Sequence, residues 1–92
     1  MAKYDVVLRK SVLKDLDDIP KKDVKRIMST IRSLGYNLRP TQAKKLSGYD
    51  RYRIRQGVYR ILYSIEDDRL IVCVARVGHR REVYRQRIEP AG

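Results

Sequence analysis

Residues 51–77 read RYRIRQGVYRILYSIEDDRLIVCVARV, and this stretch decides the fold. Arginine alternates with Tyr52 and Ile54 across residues 51–55. A period of two puts the apolar pair on one face of a strand and the arginines on the other. Gln56-Gly57 predicts a tight turn, and residues 58–65 read as the returning strand. Asp67-Asp68 predicts a second turn. Residues 70–77 then form a last strand that Gly78 ends. The unbroken apolar run of residues 70–75 suits a central strand covered on both faces. Three strands joined by short turns run antiparallel.

Working outward, residues 4–8 (YDVVL) are β-prone and predict a first strand. Ser11 is placed to cap a helix with Val12, Leu13 and Leu16 on its apolar face. Pro20 suits the first turn of a second helix. Its apolar stripe is Val24, Ile27, Met28, Ile31 and Leu34, spaced by three and four residues. Gly35 is a natural stop. Residues 37–42 (NLRPTQ) read as a loop. The order is therefore β-α-α-β-β-β. It predicts an α+β fold, with two N-terminal helices packed on one side of a small, mainly antiparallel sheet. A chain of 92 residues fits one domain spanning residues 1–92.

Charge narrows the class of partner. Lys and Arg number 22 against 11 Asp and Glu, a formal net charge of +11. Such an excess attracts polyanions, and nucleic acid first among them. The kind of base also changes along the chain. Residues 1–38 hold six Lys and three Arg, whereas residues 39–92 hold two Lys and eleven Arg. Arginine presents a planar fork matched to phosphate oxygens. Cys73 is the single cysteine, so an internal disulfide is excluded and a reducing, cytoplasmic setting is expected. The first ten residues hold no apolar run of the secretory kind. The longest apolar run is far below the roughly 20 residues a membrane helix needs, so no membrane association is expected.

The arginines form a pattern once the strands are paired. With Gln56-Gly57 as a two-residue loop, Arg53 faces Arg60 and Ile54 faces Tyr59. Tyr52, Ile54, Tyr59 and Ile61 then share a face turned to the helices. Arg51, Arg53, Arg55 and Arg60 share the other, and no acidic residue lies between Arg51 and Arg60. Like charges directly opposite destabilise a strand pair. Solubility alone would be served as well by mixed charge, so the single sign points to a phosphate ligand. A second cluster lies in residues 77–85 (VGHRREVYR), which gather His79, Arg80, Arg81 and Tyr84 near a strand end. His79 is the only histidine, and its neutral-range pKa suits proton transfer. The sequence shows no metal-ligand spacing, no glycine-rich phosphate loop and no serine-triad pattern.

Residues 45–84 (KLSGYDRYRIRQGVYRILYSIEDDRLIVCVARVGHRREVY) resemble the core of RelE/ParE-superfamily toxins, and the leading helices match that layout. The combination L-x-G, Y-R-I-R, Y-R-I-L-Y and V-x-x-V-G-H-R-R-E-V-Y carries the likeness. The resemblance implies a fold like that of small microbial ribonucleases. It further implies a toxin that enters the ribosomal A site and cuts mRNA without metal or cofactor, and that an acidic antitoxin restrains. Carried over residue by residue, the catalytic set is Arg53, Arg55, Arg60, Arg80 (with Arg81 as the competing choice) and Tyr84, with His79 beside it. Well-studied relatives carry lysine where this chain has Arg53 and Arg55. Arg51, Lys44, Lys45, Arg81 and Arg85 are expected to contact nucleic acid. Two other readings are a ParE-like inhibitor of DNA gyrase and a non-catalytic RNA-binding module. The ParE branch generally lacks the late arginine and tyrosine, which Arg80 and Tyr84 supply here.

Overall fold

The computed structural model describes residues 3–46 and 50–79. Strand β1 (Asp5–Leu8) leads into helix α1 (Lys10–Asp17) and helix α2 (Lys21–Ser33). Strands β2 (Lys44–Leu46), β3 (Arg51–Gln56), β4 (Tyr59–Glu66) and β5 (Ile71–His79) follow. Among the described residues these five strands form one sheet in the order β1-β5-β4-β3-β2. Only the β1–β5 pair is parallel. The α+β class and the helix-then-strand order are as the sequence implies.

The helices cover one face. Ile27, Ile31 and Leu34 of the predicted stripe are fully buried, with Val24 and Met28 packed at its margin. They meet Tyr52, Ile54, Ile61, Tyr63, Ile65, Val72, Val74 and Val77 from the sheet. In α1 only Val12 is buried outright, and Leu16 packs beside it. Leu13 was expected on the same face but is 57% exposed. Val12 and Leu16 lie four apart on one stripe, and Leu13 is turned about 100° from Val12.

Four local expectations are corrected. First, the β3–β4 loop is Gly57-Val58, because Gln56 pairs with Tyr59. Gly57 has φ +62 while Val58 does not enter the left-handed region, the pattern of a type II′ turn. Space is not the reason for this glycine, since a Cβ would meet nothing within 4 Å. Gln56 instead accepts a 2.6 Å hydrogen bond from the Thr30 hydroxyl, which ties the hairpin to α2.

Second, Ser11 does not cap α1; its hydroxyl donates to the Ala75 carbonyl at 3.0 Å. That carbonyl lies beyond the end of β1, whose last pair is Leu8 with Val74. Third, Leu70 belongs to the turn, at φ +54, and β5 begins at Ile71. Fourth, the expected order β-α-α-β-β-β lacks β2. Its three residues add a short edge strand beside β3.

Tyrosines fasten the loop between α2 and β2. Tyr52 and Tyr63 are cross-strand partners whose rings stack at 5.5 Å. The Tyr63 hydroxyl donates to the Leu38 carbonyl at 2.8 Å, and Arg39 Nε donates to the Tyr52 hydroxyl at 2.7 Å. Burial pushes the Tyr63 phenol above its ordinary range; Tyr52 adds to the shift and Arg39 opposes it. A pKa raised in the folded state stabilises the fold fully below the unfolded value, about 10, and is lost as pH rises above it. Tyr63→Phe should cost on the order of 1 kcal/mol at neutral pH through the lost hydrogen bond. It should also flatten the fall in stability above about pH 10. Denaturant unfolding of both proteins between neutral and alkaline pH checks this, and an unchanged alkaline slope refutes it.

Candidate nucleic-acid interface

The face away from the helices is laid out in rows by strand register. One row runs Leu46, Arg51, Ser64, Cys73 from β2 to β5. The next runs Lys44, Arg53, Leu62, Arg76. The third runs Arg55, Arg60, Gly78. Directly paired residues point to the same side of a sheet, so Lys44, Arg51, Arg53, Arg55, Arg60 and Arg76 share this face. The shifted turn changes each partner by two positions. Arg60 therefore opposes Arg55 and not Arg53, but the division into faces is unaltered.

Burial separates these arginines. Arg51 and Arg55 are exposed and Arg53 is half-buried. Arg60 is only 5% exposed, the one buried charged residue among those described. Arg51, Arg53 and Arg60 are each engaged by neighbouring groups. A charge is buried at high cost unless it is held by partners, so Arg60 is a fixed guanidinium and not a waving surface side chain.

Arg76 is fixed by a different route. Its Nη2 donates to Asp15 Oδ1 at 3.1 Å, and the Val77 N–H donates to Asp15 Oδ2 at 3.0 Å. The Asp15 side chain is 13% exposed and that of Arg76 is 34% exposed, so the pair is partly shielded from water. Between Arg76 and Val74 the β4–β5 register slips by one residue at Ala75. This β-bulge lets both Val74 and Val77 reach the core while Arg76 turns to the open face. Sequence reading missed Arg76 and Arg9. The signal was present in V-x-x-V, because two buried valines three apart on a strand require a bulge.

Not every expected site residue gathers here. Lys45 pairs with Tyr52 and so lies toward the helix side, where it reaches Asp50 at 3.8 Å. His79 pairs with Tyr59, its ring 6.4 Å away and edge-on. It therefore sits on the helix side of β5, across the strand from the arginine rows. Arg80, Arg81, Tyr84 and Arg85 lie outside the described residues. Cys73 is a free thiol. Among the described residues no group of three or more His, Cys, Asp or Glu comes together that could hold a metal ion, and no helix is long and apolar enough to cross a membrane.

Known proteins share this fold. Residues 6–84 match the family model described as the ParE toxin of type II toxin–antitoxin systems. The chain belongs to the RelE/ParE superfamily of type II toxin–antitoxin toxins and is RelE-type. A putative RelE1 toxin of Methanocaldococcus jannaschii is 33% identical, over 90% of this chain and 97% of its own. Among solved structures, the archaeal RelE–RelB complex of Pyrococcus horikoshii aligns with a TM-score of 0.74 at 27% identity. It covers 85% of this chain and 96% of the matched one. A variant of the E. coli RelE toxin in the free state aligns with a TM-score of 0.75 at 26% identity, covering 96% and 99%. The RelE structures share the two helices followed by the mixed sheet.

The Arg55–Arg60 pairing has a stability consequence. With no polyanion bound, Arg55→Ala should raise stability by roughly 0.2–1 kcal/mol, the range of cross-strand pair terms. The gain should shrink as salt screens the repulsion. Thermal melts at low and high salt test this, and a loss of stability at both would mean that Arg55 supports the fold.

Proposed function

We propose that this chain is a cytoplasmic, single-domain toxin that cuts mRNA on the ribosome and is restrained by an acidic antitoxin. The observation that carries the reading is the row Arg55–Arg60. Arg60 is held nearly out of water directly across from the exposed Arg55, and a phosphodiester lying on that row meets two guanidiniums at once.

The reaction this face suits is attack by an RNA 2′-hydroxyl on the adjacent phosphate. The 2′-oxygen bonds to phosphorus while the bond to the 5′-oxygen breaks. One proton leaves the 2′-hydroxyl and another reaches the departing 5′-oxygen. The products are a 2′,3′-cyclic phosphate and a free 5′-hydroxyl. Negative charge grows on the phosphoryl oxygens at the transition state. Arg60, already fixed, stabilises that charge without reorganising, and Arg53, Arg55 and Arg80 complete the set. Arginine stays protonated below a pKa of about 12 and is a poor base. Strand alternation turns His79 to the other side of β5, which favours Tyr84 over His79 for proton transfer. A site with so weak an acid–base pair gains from a ribosome that holds the mRNA in line.

Arg60→Ala and Arg80→Ala should each lower cleavage on the order of 100–1,000-fold, the usual effect of losing one such donor. Tyr84→Phe should lower it as well, whereas His79→Gln should retain most of it. Mapping mRNA 5′-ends in a translation extract measures all four. Wild-type rates for both arginine variants would overturn the site. The match to a ParE model favours one other reading, a DNA gyrase inhibitor. Gyrase-dependent DNA breakage without mRNA cleavage would establish it.

The M. jannaschii, P. horikoshii and E. coli RelE structures include complexes with RelB antitoxins. By analogy, an acidic antitoxin segment covers the arginine rows of this chain. Electrostatic steering should then make association fall about ten-fold or more from low to high salt. Stopped-flow mixing checks this, and rates independent of salt would refute an arginine-centred interface.

A further inference from the structure

Beside the Arg55–Arg60 row the same face opens into a cleft of about 240 Å³. Arg9, Leu46, Arg51, Leu62, Ser64 and Arg76 supply the part of its lining that matters for binding. We propose that this cleft is a second nucleotide subsite, taking the phosphate and base of an RNA unit that flanks the scissile linkage. The inference rests on the ribonuclease reading above and extends it to groups which that reading leaves idle.

Position comes first. Arg51 precedes Arg55 by four strand residues, about 13 Å along the sheet. Arg53, Leu62 and Arg76 occupy the row between them, so the cleft spans the two rows next to Arg55–Arg60. A single strand following the rows passes from one guanidinium to the next without leaving the face.

The chemistry of the lining comes second. Three arginines meet here from the β1–α1 junction, β3 and β5, and Asp15 holds Arg76 in place. Arg76 spends one terminal nitrogen on Asp15. Its Nε is buried and makes no hydrogen bond among the described residues, and the side chain is 34% exposed where it lines the cleft. Leu46 and Leu62 give an apolar floor, against which a base can lie with a guanidinium plane over it. The Ser64 hydroxyl donates or accepts, as a base edge or a 2′-hydroxyl needs. An aspartate or glutamate from a protein partner would satisfy the arginines but has no flat surface for the leucines. The volume lies just under the roughly 300 Å³ at which pockets for drug-sized ligands begin, so it suits one base with its phosphate.

The test uses Arg9→Ala in the full chain. Arg9 is exposed and joins the fold through its backbone N–H to the Val74 carbonyl, so its side chain can be removed without loosening the sheet. Arg76→Ala is avoided because it strands Asp15. Single-stranded 2′-O-methyl RNA resists cleavage and serves as the probe, in lengths of about two and about six nucleotides. The variant should bind the dinucleotide as wild type does and the longer strand about ten-fold more weakly, with a shallower salt dependence. A neutral methylphosphonate placed at each linkage in turn should weaken wild type at one flanking position. At that position it should have no further effect on the variant. Equal affinity of both proteins for every probe overturns the subsite. So does a variant weakened only toward an acidic antitoxin peptide, which would assign the cleft to the protein partner. A wild type that binds no probe also overturns it. Cleavage of translated mRNA by that same wild type would leave the ribonuclease reading standing, and failure to cleave would remove both.

Discussion

The carboxylate of Asp15 is the interaction on which most of the described geometry depends. Strand β1 covers β5 only as far as Val74, and beyond that point the edge of β5 has no strand beside it among the described residues. Helix α1 takes over: the Arg9 N–H donates to the Val74 carbonyl, the Ser11 hydroxyl to Ala75, and Asp15 receives the Val77 N–H. The second oxygen of Asp15 holds Arg76. One side chain thus closes an open sheet edge, pins the bulge at Ala75 and aims a guanidinium. Hydrogen bonds to a charged acceptor are each stronger than neutral ones, about 1.5–3 kcal/mol against about 1. The bulge decides that Val77 enters the core and that Gly78 lies beside Arg60. Without it the last third of β5 would present the wrong side chains to both faces.

The arginine face is a site held against its own electrostatics. Arg55 and Arg60 oppose each other, and Arg60 is withdrawn from water. The other face supplies the compensation. Tyr52 stacks on Tyr63 directly across the same two strands, and Ile54 pairs with Ile61, both fully buried. Burying an isoleucine contributes about 1.5–3 kcal/mol. A cross-strand repulsion costs at most about 1 kcal/mol. The hairpin therefore tolerates the crowded charges because its reverse side is apolar or aromatic except at Gln56, which is bonded to Thr30.

How much was legible in the sequence follows from the same arithmetic. The division of the hairpin into faces depends on parity alone, so moving the turn from Gln56-Gly57 to Gly57-Val58 left it intact while changing every partner. Gly57 was visible as a turn residue, but its place within the turn was not. Only the two-residue match between Gln56 and Tyr59, and the bond from Thr30, fix the loop. Strand β2 was hidden because Lys44 and Lys45 carry no apolar signal; an edge strand is held by its neighbour's backbone and needs none. His79 looked like a site residue from its nearness to Arg80 and Arg81. Neighbours along a strand face opposite ways, however, and one histidine beside Gly78 was bound to fall on the side away from Arg60. Arg9 and Arg76 were overlooked for the complementary reason: they are remote in sequence from the arginine run, Arg76 reaching it through the β4–β5 register and Arg9 through the β1–β5 pairing.

A face of this kind binds whatever polyanion is at hand, and that bears on control. Under the proposed reading an RNA phosphate and an antitoxin carboxylate compete for the same guanidiniums. Both relieve the Arg55–Arg60 repulsion, so charge alone gives little discrimination between them. Discrimination has to come from what surrounds the charge. Leu46, Leu62 and the bulge-aimed Arg76 form a shaped recess beside the rows. A recess that accepts a flat base adds affinity for RNA that a carboxylate does not share. An antitoxin must then gain its advantage elsewhere on the chain, over an area larger than one strand of RNA covers. The bulge that Asp15 holds in place is thus where the architecture of the sheet turns into preference for a ligand.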